Sequence, residues 1–373
     1  MSPLLFLLYI NDLPNSSEDG EFVLFADDTN IFVTGQNEND AYKKAQTVLN
    51  KVYKYMVSNQ LHINMTKSLY IHFQPNLNQI ERQTCARTRI DKSLKLGNVK
   101  LKRVTKTKFL GVMIDDKLSW DAQLEYLKEK LLSSIIIIKR IKKFIPESEY
   151  ISLYDSLFKS HLSYCISSWG GISKYKLEST FSLQKRCVRL LFGNELNFDH
   201  AEYYETCARA RTYDEHVAKK NFMLEHTKPI FNNKKLLSLH HLHIYHSFLE
   251  LFKILKFKTP ISLFELFTFS CRSTNLHLII PKVKIEAAKH GFIFNSSSMW
   301  NELIDKLLNK CSPNTDGIMI PGSTNGSDLS ASISIIKKKL KDVLLNTQQI
   351  DSSYQLGWQK SNEWLPENFF FRS

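Results

Sequence analysis

The hydrophobic period of this chain changes near Ser119, and few folds can carry such a change through one core. Before that point apolar residues come in short runs broken by polar turns. After it they recur every three or four residues over long stretches. Residues 3–12 read as a strongly apolar helix, best accounted for as buried, ended by Pro14 and Asn15-Ser16-Ser17. Glu21–Ala26 and Thr29–Thr34 are β-prone runs on either side of Asp27-Asp28, which predicts a hairpin with a two-residue acidic turn. Asn39 then caps a helix whose apolar face is Ala41, Ala45, Val48, Val52 and Met56. Leu61–Asn64 and Ser68–Phe73 read as short strands, Val99–Val104 alternates, and Lys108–Ile114 is a further β-prone run. The order αββαββ followed by a hairpin is an α+β layer pattern, not a βαβ one.

From Ser119 a long helix runs from about Trp120 to Phe144 and is broken at Pro146. Further helices are expected near 148–170, 175–192, 212–226 and 239–257, with Pro260 closing the group. Residues 272–304 read as short strands and turns. Residues 312–332, rich in Gly, Ser, Asn and Pro, read as a mobile loop before a last basic helix at 337–345. The expected division is 1–117, 118–200 and 201–373, in keeping with a length of 373 residues.

Composition narrows the classes of function. At 43% hydrophobic and 23% charged the chain is globular, and a net charge of +13 suits a partner made of phosphates. The cysteines, Cys85, Cys165, Cys187, Cys207, Cys271 and Cys311, form no Cys-x-x-Cys pair, which argues against a zinc ribbon and a disulfide framework. A reducing compartment, nuclear or cytoplasmic, is expected. Leu4–Ile10 and Ile135–Ile138 are too short to span a bilayer, and the N-terminus lacks the basic region and cleavage site of a signal peptide.

Taken alone, Asp27-Asp28 is an ordinary solvated turn. Its setting is less ordinary, because Asp-Asp is a poor hairpin former and something other than turn geometry has placed it there. Carboxylates on a hairpin tip are held more firmly than on a free loop. They suit chemistry in which divalent metals neutralise charge on phosphoryl oxygens during in-line transfer.

The surrounding motifs give that chemistry a family. Phe25-Ala26-Asp27-Asp28 resembles the polymerase motif of reverse transcriptases. Ser2-Pro3-Leu4 through Asp12-Leu13-Pro14 resembles the preceding palm helix of LINE-type (non-LTR) retrotransposons, the jockey-like group especially. Leu61–Lys67 resembles the next motif, Asn-x-x-Lys, and Lys108–Asp115 with Leu118-Ser119-Trp120 resembles the primer-grip hairpin. Tyr164-Cys165-Ile166-Ser167-Ser168-Trp169-Gly170-Gly171 is similar to a Tyr-Gly-x-x-x-Trp-Gly stretch, with Cys165 where Gly is usual. Residues 292–301 and the basic helix at Lys337 resemble the C-terminal region of the same elements.

The resemblance implies an RNA-directed DNA polymerase with a partial palm, a mainly helical thumb and a helical C-terminal region. It implies an RNA template, a DNA primer, a dNTP and Mg²⁺. Asp27 would be the principal metal ligand, Asp28 its support, and Lys67 a charge stabiliser or proton donor near the leaving pyrophosphate. Leu110-Gly111 would bear on the primer, and Lys139, Arg140, Lys142 and Lys143 on the duplex. The third catalytic carboxylate, the fingers and the Gln-Gly before Ser2-Pro3 belong upstream in such enzymes. An N-terminally truncated, catalytically incomplete chain is therefore expected, with a non-catalytic nucleic-acid-binding remnant as the other reading. Asp12, on the palm helix, is a poor substitute for the third carboxylate.

Two other features compete for a role. His240, His241, His243 and His246 permit a zinc site, but Leu239, Leu242, Ile244, Phe248 and Leu249 mark that helix as a packing element. Basic clusters at 92–108 and 337–341 suit either phosphate contact or a solvated face. Tyr53, Tyr55 and Trp120 read as core rather than base-stacking residues.

Overall fold

The computed structural model describes residues 3–73, 93–193, 227–268, 277–283, 286–309 and 329–350. Cys85, Cys207, Cys271 and Cys311, Lys92, the helix expected at 212–226 and residues 312–328 of the expected loop lie outside these. The chain divides into two compact units: Met1–Phe109 with Ile114–Leu118, and Leu110–Met113 with Ser119–Ser373.

In the first unit α1 (Pro3–Ile10) leads through a 3₁₀ turn, Leu13–Ser16, to strands β1 (Glu21–Phe25) and β2 (Asp28–Phe32). Helix α2 (Glu38–Ser58) follows, capped by Asn37 rather than Asn39: the Asn37 side chain accepts the Asp40 amide at 2.9 Å. Val48, Val52 and Met56 on its apolar face bury with Ile10 and Leu13, and Phe22, Leu24 and Ile31 pack on them. The hairpin thus turns one face inward. The short strands β3 (Leu69–Ile71), β4 (Lys95–Leu96), β5 (Val99–Lys100) and β6 (Lys102–Val104) follow, in pairs separate from β1–β2. β3 pairs with β6 in parallel, and β4 pairs with β5 as a hairpin. Leu61–Asn64, expected as a strand, is irregular because Asn64 is taken up in a side-chain turn described below.

The expected burial of α1 is corrected. Only Ile10 is buried, while Leu4 (66%), Leu5, Leu7 and Leu8 are exposed. The helix packs on the rest of the unit along one edge, and no described element covers the remainder.

Strands β7 (Lys106–Phe109) and β8 (Val112–Asp115) form the third hairpin, so Lys108–Ile114 is two strands and a turn. Helix α3 (Asp121–Ile141) buries Leu124, Leu127, Leu131, Ile135 and Ile138 at helical spacing. Helix α4 starts at Tyr150–Tyr154, passes through one π-helical turn at Asp155–Lys159 and ends at Ser160–Ser163. Then come α5 (Ile166–Trp169), α6 (Lys174–Phe192), α7 (Lys228–Asn233), α8 (Leu239–Phe257), α9 (Ile261–Phe264), α10 (Glu286–Lys289), α11 (Phe292–Asn309) and α12 (Leu329–Ile350). The segments before and after residue 200 contribute to one apolar core, which includes Trp169, Phe231, Phe248 and Trp300.

Residues 292–304 are helical, contrary to the strands and turns expected there. Ser296-Ser297-Ser298, weak helix formers, are buried and small enough to pack closely. Ser297 returns its hydroxyl to the Ile293 carbonyl at 2.8 Å, and Trp300 stacks on Phe248 with ring centroids 5.0 Å apart. The last helix likewise begins at Leu329, inside the segment expected as loop.

Candidate active site

The acidic hairpin exists, with its turn one residue earlier than expected. Phe25 pairs with Asp28, so Ala26-Asp27 is the two-residue loop and Asp28 opens the return strand. Ala26 adopts φ +51°, a region that costs a residue with a β-carbon roughly 1–2 kcal/mol. Asp27 and Asp28 are both exposed, and neither makes a side-chain hydrogen bond or ion pair among the described residues. Cross-strand pairing sets Asp28 on the outer face with Phe25 (61% exposed), Val23 and Phe32. No described element covers Val23, Phe25 and Phe32 on that face.

Lys67 is exposed at the end of a tight turn built by Asn64. The Asn64 carboxamide oxygen accepts from the Thr66 amide (3.1 Å), the Thr66 hydroxyl (2.6 Å) and the Lys67 amide (3.2 Å). Its backbone oxygen accepts from the Ser68 amide and hydroxyl. The spacing Asn-x-x-Lys therefore has a local cause: the Asn side chain curls the chain so that Lys67 projects from the turn. The sequence quoted this motif but did not reveal what Asn64 does.

Among the described residues no group of three or more His, Cys, Asp or Glu side chains is placed to hold a metal ion. Two exposed carboxylates are fewer ligands than a pair of magnesium ions requires. The described residues do not by themselves fit the metal site that the resemblance implies. Asp12 stands at the start of the 3₁₀ turn Leu13–Ser16, where its charge helps raise the Tyr55 phenol after burial has done so.

Leu110 and Gly111 form the turn of the β7–β8 hairpin with φ +43° and +87°, both positive as a type I′ turn requires. Gly suits that backbone and Leu does not. The Tyr164 hydroxyl donates to the Leu110 carbonyl at 2.7 Å, and a β-carbon on Gly111 would come within 3.1 Å of the Tyr164 ring.

The basic group at the end of α3 divides. Lys139, Arg140 and Lys143 are exposed with no ion-pair partner among the described residues. Lys142 is half-buried, donating to the Leu190 carbonyl at 2.7 Å and lying over the Tyr150 ring. Lys337, Lys338 and Lys341 are exposed on α12, as are Lys95, Lys100, Lys102, Arg103, Lys106 and Lys108 in the first cluster.

Of the histidines of α8, His241 and His243 are buried, and His240 and His246 are half-buried. His243 is 2% exposed, and burial pushes its imidazole down to about 4. Burial likewise holds His240 well below the ordinary value and lowers His246, against which only Glu250 pulls upward. His241 shares a hydrogen bond of 2.7 Å with the Ser238 hydroxyl at the helix start. Tyr53 and Tyr55 are partly buried against the small cores of the first unit, and Trp120 against that of the second. No helix among the described residues is long and apolar enough to cross a membrane.

Comparison with known proteins bears on the first unit. Residues 1–114 match the family Reverse transcriptase (RNA-dependent DNA polymerase). No curated protein and no solved structure matches the chain.

Proposed function

We propose that the chain belongs to an RNA-directed DNA polymerase of a LINE-type, jockey-like retrotransposon. In this reading the first unit is the end of the palm, and the helical unit contains the thumb and C-terminal region. The observation that carries it is an acidic pair at a hairpin tip within the segment, 1–114, that matches reverse transcriptases. The motif order seen in the sequence supports the finer assignment. In the complete enzyme Mg²⁺ would be held by Asp27 and Asp28 with a further carboxylate, and it would neutralise charge on the transferring phosphoryl group. Lys67 would lie on the pyrophosphate side, with RNA template, DNA primer and dNTP as partners and the nucleus or cytoplasm as its place.

Residues 1–373 alone are expected not to polymerise, because a misplaced reacting group costs about 100-fold per ångström and here a ligand is wanting. The exposed apolar faces of α1 and the hairpin support the same view, since they suit further palm elements. Primer extension with Mg²⁺ tests it. The chain alone should incorporate nothing, and a version joined to a palm strand bearing a third Asp and to fingers should incorporate dNTPs until Asp27→Ala abolishes it. Incorporation by the chain alone, lost in Asp27→Ala, would overturn the incompleteness.

A non-catalytic nucleic-acid-binding remnant is the second reading, favoured by the unpaired Lys139, Arg140 and Lys143. Affinity for an RNA–DNA hybrid should fall steeply with salt, and replacing these three by alanine should reduce the log–log slope by about 3. An unchanged slope would remove this surface from the interface.

A further inference from the structure

The turn Leu110-Gly111 is made by strands, but its backbone is fastened by side chains of the helical unit. Tyr164, in the link between α4 and α5, donates its hydroxyl to the Leu110 carbonyl at 2.7 Å. Gln123, buried on α3, accepts the Met113 amide at 2.8 Å. Residues 110–113 accordingly group with that unit. Tyr164 is in turn held at its own carbonyl by the indole N–H of the fully buried Trp169 at 2.9 Å. The next residue, Cys165, takes the left-handed φ of +50° that bends the chain into α5.

The turn needs such support. Leu110 stands at φ +43°, where a β-carbon is disfavoured, and such a conformation persists only when the surroundings over-determine it. Gly111 lets the Tyr164 ring lie directly against the turn: any β-carbon there would meet Cε1 and the hydroxyl oxygen at 3.1 Å. The phenol thus has two handles on one turn, a hydrogen bond and a ring face.

We infer that Tyr164 is a positioning residue that sets the orientation of the Leu110-Gly111 turn toward a primer 3′ end, with Gln123 fixing the strand that leaves it. This rests on the proposed function and on the primer contact that the resemblance implies for that turn. Tyr164 itself reaches no substrate and acts through the Leu110 carbonyl. Its hydroxyl is required, whereas its bulk alone would satisfy a packing role.

The test uses the full chain and two RNA–DNA hybrids, one with a recessed DNA 3′ end and one blunt, whose affinities are compared by fluorescence anisotropy. Tyr164→Phe keeps the ring against Gly111 and removes only the donor. The wild type should prefer the recessed hybrid, and Tyr164→Phe should lose roughly fivefold of that preference, the worth of one ordinary hydrogen bond. Its affinity for the blunt hybrid should stay at the wild-type value. Gln123→Leu should erode the same preference, with faster amide exchange at Met113 as an independent readout. An unaltered preference in Tyr164→Phe overturns the inference, as does a wild type that binds both hybrids equally. Either result leaves nucleic-acid binding by the chain intact. A wild type that binds neither hybrid overturns the inference together with the nucleic-acid binding that both functional readings require.

Discussion

Cys165 holds a left-handed φ of +50° at the entry to α5, and Gly170 closes that short helix against α8. The two positions predict opposite outcomes. A left-handed non-glycine residue costs roughly 1–2 kcal/mol, and glycine returns about 0.5–1 kcal/mol of that through the freedom of its unfolded chain. Cys165→Gly should therefore stabilise the helical unit by about 0.5 kcal/mol or slightly more, read as a higher urea midpoint. At Gly170 the backbone φ is ordinary, but a β-carbon would lie 2.6 Å from the Ile166 carbonyl oxygen and 2.7 Å from His243 Cδ2. Neither neighbour is a flexible chain end, so Gly170→Ala should destabilise by about 1–3 kcal/mol. The same two observations give physical content to a sequence stretch otherwise known only by resemblance. Glycine at 165 would relieve the backbone, and glycine at 170 admits an imidazole.

At the scale of elements, what the sequence disclosed followed periodicity and what it concealed depended on partners. The face of α2 and the buried stripe of α3 were legible because every third or fourth residue is apolar and nothing competes with that signal. The acidic hairpin was legible too, although its turn slipped by one residue, since nothing local marks Ala26 for a positive φ. Helix α11 was hidden by its serines, which only α8 makes sense of. Buried glutamines were hidden as well. Gln184 donates to the Tyr154 hydroxyl (2.9 Å) and the Leu237 carbonyl (3.0 Å) and accepts the Leu239 amide (2.8 Å). Gln348 brackets the same segment from α12, through the Leu236 carbonyl and the Ser238 amide at 3.0 Å each. No pattern distinguishes such a glutamine from a solvated one, yet Gln184→Leu strands a backbone donor and acceptor. It should cost about 2–4 kcal/mol, more than Gln46→Leu on α2, whose bonds to the Lys95 backbone are open to water, when both are compared by denaturant unfolding. Asn64 is the equivalent in the candidate site. Asn64→Ala should accelerate amide exchange at Thr66 and Lys67 and cost about 1–2 kcal/mol, without touching the hairpin that carries Asp27.

For the molecule as a whole, the histidines of α8 set how stability depends on pH, and the sign follows from their burial. An unfolded chain protonates His243 near pH 6.5, whereas the folded chain holds it neutral down to about 4. Between those values the unfolded state binds the extra proton, so stability rises with pH through that window and falls as the solution is acidified. His240 and His246, also held below their ordinary value, act in the same direction. The carboxylates held low by partners, Asp40 by the Gln36 amide and Lys44 and Asp121 by Lys176, carry a stability that is lost only as pH falls below about 4. They are therefore silent between pH 7 and 5. At ~1.4 kcal/mol per pH unit for each uncompensated proton, His243 alone should remove about 2 kcal/mol by pH 5. The tryptophans all lie from Trp120 onward, with Trp169 and Trp300 fully buried, so their fluorescence isolates the helical unit. Urea midpoints followed in this way should drop from pH 7.5 to pH 5. His243→Gln, which cannot take up the proton in either state, should flatten the slope even though it lowers the midpoint at neutral pH. A variant that keeps the full acid slope would mean that the buried imidazole of His243 is not where the unfolding proton goes.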